Sequence, residues 1–164
     1  MDIRLESMLG MADKEFDGES FNGPSLMATL DSLTAEQAAS EATFEGYSAW
    51  EIAIHCAWYK HFIARSLGAK VELFPYPYAE KNFAPIPAPP DDVAWKTTRA
   101  VLRRAHHEAM QTFRDASSEE LDAMFSEWGV PFREAIAWLC THDVFHNAQI
   151  RTMGVPGLRQ PKEH

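Results

Sequence analysis

His55 stands inside one apolar segment, and His142 and His146 stand four residues apart inside another. Four residues advance an α-helix by about 400°, so His142 and His146 project from one face with about 6 Å between them along the axis. Two imidazoles so placed can grip one metal ion, and a third from a neighbouring antiparallel helix completes a facial tripod. A tripod leaves coordination positions for water or substrate, which marks a reactive metal rather than a purely structural one. The donor set suits zinc, nickel, iron or copper. An ion with open positions lowers the pKa of bound water or thiol and polarises a carbonyl.

The third ligand has competitors. His106 flanks the apolar stripe of its own segment and is an alternative third ligand, His107 lies opposite that stripe and reads as solvated, and His61 points away from His55 and reads as a surface residue. A histidine on an apolar stripe also occurs as an unliganded core residue satisfied by hydrogen bonds. His55 is favoured because its own face is apolar, with Glu51 one turn before it and Tyr59 one turn after. Glu51 and Gln149 share faces with His55 and His146, a placement that suits hydrogen bonding to a ligand or orientation of substrate, and equally an ordinary polar pair on a helix surface. Tyr59 is a candidate for shaping the pocket. Cys56 and Cys140 fall at helical offsets that point them away from the neighbouring histidines and read as buried free thiols.

Helices must position these groups. Asn22-Gly23-Pro24-Ser25, followed by Leu26, Met27, Leu30 and Leu33, reads as a helix start. Residues 3–16 form either a separate helix or the first half of the same element, since Gly18 and Gly23 interrupt the pattern. Thr34-Ala35-Glu36-Gln37 predicts a capping box on a short helical turn. Ser48 to about Leu67 is a helix carrying His55, with Ile52, Trp58, Tyr59 and Phe62 at helical spacing and Gly68 as a stop. Asp91 to about Ala116 is the next, striped by Trp95, Thr98, Leu102, Ala105, Ala109 and Phe113. Pro131 to about Met153 is the last, ended by Gly154-Val155-Pro156-Gly157.

Between the second and third of these, residues 74–90 hold six prolines interleaved with Phe74, Tyr76, Tyr78 and Phe83, which excludes regular helix. Its aromatics argue for packing against the rest of the molecule, as a lid over the site or as a crossover on the end of the bundle. No segment shows strand alternation. Four long helices joined by one long connection predict an all-α four-helix bundle with a crossover, in one domain spanning 1–164.

With 15 Lys+Arg against 24 Asp+Glu the chain carries −9 at pH 7, which argues against nucleic acid and anionic lipid as partners. The charged start Met1-Asp2-Ile3-Arg4-Leu5-Glu6 and the lack of an apolar run near the ~20 residues needed to span a bilayer lead to the expectation of a soluble cytoplasmic protein.

The chain resembles the DinB-like family of metal-binding four-helix bundles, sometimes grouped with the YfiT-type proteins. The likeness runs through Asn22-Gly23-Pro24-Ser25-Leu26, Leu33-Thr34-Ala35-Glu36-Gln37-Ala38, Gly46-Tyr47-Ser48-Ala49-Trp50-Glu51-Ile52-Ala53-Ile54-His55 and His142-Asp143-Val144-Phe145-His146-Asn147-Ala148-Gln149-Ile150. The pairing of Ser-x-Trp-Glu-x-x-x-x-His with a distant His-x-x-x-His-x-x-Gln is far more specific than either part. The resemblance implies an up-down-down-up bundle with a long crossover, His55, His142 and His146 as ligands of one divalent ion (zinc or nickel first, then iron), and homodimerisation. Tyr47 stands where a histidine is common in the family and Ala148 where a glycine is common, and neither touches the three ligand positions.

Characterised relatives include thiol-dependent transferases using bacillithiol or mycothiol and a mycothiol-dependent isomerase. The resemblance thus implies a metal-dependent enzyme of the detoxification type, a thiol S-transferase or a hydrolase or isomerase, acting with a small molecule or a low-molecular-weight thiol. The alternative is a non-enzymatic, dimeric metal-binding stress protein. Family likeness transfers a site more readily than a reaction.

Overall fold

The structure, a computed structural model, describes residues 3–69 and 75–158; Phe74 lies outside them. Helix α1 (Ile3–Asp17) buries Leu5, Leu9, Ala12 and Phe16. It ends before Gly18, and the buried Glu15 carboxylate ties down the following turn by accepting from the Ser20 hydroxyl at 2.6 Å and the Phe21 N–H at 3.0 Å. This makes residues 3–17 a separate element and a long one. The stretch after Asn22-Gly23-Pro24-Ser25 is only α2 (Leu26–Asp31), capped by Ser25, because the chain turns at Ser32 and restarts at Thr34. The expected order of long helices is corrected accordingly: the first is α1.

Local signals set the other boundaries. Thr34 and Gln37 form the expected reciprocal capping box of α3 (Ala35–Ala39). Ser48 and Glu51 form another on α4 (Ala49–Ser66), which closes at Leu67 before Gly68, whose φ of 106° suits glycine. Asp91 caps α5 (Asp92–Asp115), and all six residues of its expected stripe are buried. Short α6 (Ser118–Asp122) and a hairpin, β1 (Met124–Phe125) with β2 (Val130–Pro131), lead into α7 (Phe132–Thr152). The hairpin departs from the expectation of helices alone. Its strands have two residues each, too short for alternation to be legible.

Residue pairings give the helix directions. Trp50 Nε1 donates to Thr98 Oγ1 at 2.9 Å, so α4 and α5 start at the same end. Tyr59 packs on Trp138 and His55 on His146, which sets α4 and α7 antiparallel. Asp17 binds Arg103 while Glu6 lies at Arg114, which sets α1 and α5 antiparallel. The long helices therefore run up-down-down-up in chain order. Parallel α4 and α5 require the long crossover between them, and its aromatics pack inward: the Tyr76 hydroxyl meets the Ile54 carbonyl and the Tyr78 hydroxyl meets Thr98.

Apolar packing falls into two clusters separated by a polar layer. One includes Phe16, Ala57, Ala105 and Ile150; the other includes Ala12, Ile63, Ala109 and Cys140. Between them on α4, α5 and α7 sit Lys60, His106 and Asp143, all buried. Lys60 Nζ lies 2.6 Å from both Asp143 oxygens. Among the described residues no helix is long and apolar enough to cross a membrane.

A buried ion pair is costly to break one-sidedly because the survivor stays desolvated. Lys60→Met should destabilise the protein by about 3–5 kcal/mol, and Lys60→Met with Asp143→Leu should regain most of it. Urea denaturation of both variants checks this; a double variant as unstable as the single one refutes it.

Candidate metal centre

Antiparallel α4 and α7 bring His55 opposite His142 and His146. His142 Nε2 lies 3.2 Å from His55 Nε2 and 3.1 Å from His146 Nε2. Metal–nitrogen bonds of about 2.0–2.1 Å separate neighbouring donors by about 2.9–3.4 Å for angles between octahedral and tetrahedral, so both of these spacings suit donors to one ion, and the third pair lies within 4.8 Å. The expected trio is thus brought together, as a group that could hold a metal ion.

The opposite ring nitrogens show why a cation suits this cluster. His146 Nδ1 lies 2.7 Å from Gln149 Oε1, and the Gln149 amide nitrogen donates to the Glu45 carboxylate. A carboxylate only accepts, so Gln149 must present its oxygen to His146, and His146 Nδ1 carries the proton. His55 Nδ1 likewise meets Asn82 Oδ1 at 2.5 Å. Both Nε2 atoms then present lone pairs toward His142 Nε2, whose single proton cannot serve two such close contacts well. A shared cation satisfies all three at once.

Burial keeps these rings neutral and available as donors. Desolvation, with the neighbouring His146, lowers His55 to about 4, and desolvation lowers His142 to about 2. Burial also lowers His146, against the raising effect of its bond to Gln149.

A cavity of about 470 Å³ opens beside the three rings, lined by Tyr59, Trp138, Thr141 and Phe145 together with the histidines. Phe83 stacks on His55 with centroids 4.8 Å apart, and Tyr47 stacks on Phe83. Of the accessory candidates, Gln149 meets His146 and Tyr59 lines the cavity. Glu51 does neither, because its Oε2 accepts from the Ser48 N–H and hydroxyl, closing the cap of α4.

The other histidines sort differently. His106 is held by Asp13 at 2.8 Å and lies flat on Phe16 at 3.8 Å, away from the trio. His107 is exposed, as expected. His61 is buried, not a surface residue, because the crossover lays Tyr76 on it in a stack 4.9 Å between centroids. Cys56 and Cys140 are buried free thiols, and burial raises both, Cys140 to about 12. Cys56 also groups with His142 and Asp143, but Asp143 is engaged by Lys60 and a thiol held protonated is a poor donor.

Asn82 and Glu45 carry no signal in the sequence, where Phe83 stands only among the interleaved aromatics. Only the interleaved aromatics of the crossover hinted that it packs on something, and no spacing rule ties Asn82 to His55.

Lowered imidazoles carry a pH signature. Between 6.5 and about 4 the unfolded chain binds a proton at His55 that the metal-free folded protein does not, so stability falls as pH drops through that window. Urea midpoints measured in chelator should decline toward acid more steeply for the wild type than for His55→Gln/His142→Gln. Identical slopes refute the assignment.

A sequence model of the DinB superfamily matches residues 23–150, a span that takes in all three histidines, the crossover and Gln149. No curated protein and no solved structure gives a significant match. The match covers most of the chain and agrees with its largely helical architecture, and on that ground the chain belongs to the DinB superfamily.

Proposed function

We propose that His55, His142 and His146 hold one divalent ion, zinc or nickel by the family resemblance, and that the protein is a metal-dependent enzyme that transfers a thiol to a small electrophile. The observation that carries this reading is the pairing of three clustered histidines with an adjoining cavity whose lining, among the described residues, brings no carboxylate, thiol or further imidazole. A purely structural ion is usually enclosed by four protein donors, whereas an open position invites an exogenous group. Such an ion lowers the pKa of a thiol or water and polarises an oxygen beside it.

The chain's own residues do the rest. Asn82 and Gln149, backed by Glu45, fix the tautomer and tilt of two ligand rings. Tyr59, Trp138 and Phe145 wall the cavity and orient the electrophile. In the transfer, the thiol proton leaves to solvent, the sulfur electron pair forms the new bond to carbon, and the displaced group departs with the pair of the broken bond. A second reading is a metal-binding dimeric bundle without catalysis, with the ion as a structural brace.

Protein purified without added metal or chelator should carry about one zinc or nickel per chain by elemental analysis. His146→Ala should lose that metal while keeping its helical circular dichroism; retained metal refutes the ligand set. Asn82→Ala and Gln149→Ala should each weaken metal affinity by about 10–100-fold. Because both apolar clusters lie outside the trio, chelated protein should still melt cooperatively, and unfolding on chelation would instead support the structural brace.

A further inference from the structure

Resting on that metal reading, we infer that the cavity selects a ligand with a metal-binding head and a neutral, ring-sized apolar body, and discriminates against anionic bodies. Among the described residues no Asp, Glu, Lys or Arg lines it: Tyr59, Trp138, Thr141 and Phe145 stand around the three histidines. Of the cations on α4, Lys60 is engaged by Asp143 and Arg65 by Glu80, and Lys81 and Arg151, close in sequence to Asn82 and Gln149, are not among the residues that line the cavity. Glu45 stands behind Gln149, and the chain as a whole carries −9. With the charge of the ion partly offset by the thiolate head, a carboxylate on the body loses hydration and finds no charged side chain in the lining to replace it.

Aromatic surface supplies the attraction. Phe145 is 65% exposed and Trp138 43% exposed, yet both face the cavity, so an apolar body would cover rings that water now touches. Tyr59 packs edge-on to Trp138 at 5.3 Å, which leaves a rigid two-ring wall for a flat ligand. A cavity of about 150 Å³ suffices for benzene, so the 470 Å³ here takes a substituted ring with its head at the histidines.

Cobalt-loaded protein titrated with 4-methylbenzenethiol and with 4-mercaptobenzoate tests this, read by sulfur-to-cobalt charge-transfer absorption. The two thiols share shape and a similar acidity and differ in the charge of one substituent. The neutral thiol should bind at least about tenfold more tightly. Phe145→Ala should lower its affinity without altering cobalt content, and Thr141→Lys should shift the preference toward 4-mercaptobenzoate. Equal binding of both thiols, or tighter binding of the anion, by protein that has taken up cobalt overturns the selectivity and leaves the metal reading intact. Failure to take up cobalt overturns the metal reading, and the inference with it.

Discussion

The buried pair of Lys60 and Asp143 fixes the register on which the rest of the structure depends. Its two charges join α4 to α7, His106 of α5 approaches the Asp143 carboxylate at 3.9 Å, and Phe16 of α1 offers its ring to the Lys60 ammonium at 5.4 Å. All four long helices therefore meet at one polar layer between two apolar clusters. Apolar packing is non-directional and tolerates sliding; a desolvated ion pair does not, since a shift of one helical turn, about 5.4 Å, would strand both charges. The same register carries His142, next to Asp143, to His55, which lies five residues before Lys60.

That register explains how three imidazoles can be crowded to hydrogen-bonding distance with all three inner nitrogens converging. The crossover adds Asn82 and Phe83 at His55, and the segment before α4 adds Glu45 behind Gln149. The two helices thus supply the three imidazoles, while two irregular segments set the tautomers of two of them and part of their stacking. Such a division is the one metal sites commonly show, in which hydrogen-bond partners orient the ligating rings.

The polar and apolar sides of the site are also kept apart. Hydrogen-bonding groups sit behind two of the rings, at the outward-facing nitrogens of His55 and His146, and the face beside the inward nitrogens opens on aromatic side chains. On the proposed metal reading, a ligand entering that face would be oriented by its head at the histidines and selected by the body that the aromatic walls accept.

What the sequence by itself determined is what local spacing and local hydrogen bonds encode. The boundaries of α4, α5 and α7, the Thr34–Gln37 cap, the buried stripe of α5, the irregular crossover and the three-histidine pattern were all legible, because each follows from helical periodicity or from a bond between residues a few positions apart. The Ser48–Glu51 cap obeys the same rule, and that local bond draws Glu51 away from the role its helical face suggested. Tertiary structure alone decided that residues 3–17 supply the first long helix, that Tyr76 buries His61, that His106 belongs to Asp13, and that Asn82 reaches His55. Those contacts join segments far apart in the chain through a proline-rich connection or across packed helices, where no period links one partner to the other and only the three-dimensional path of the chain brings them together.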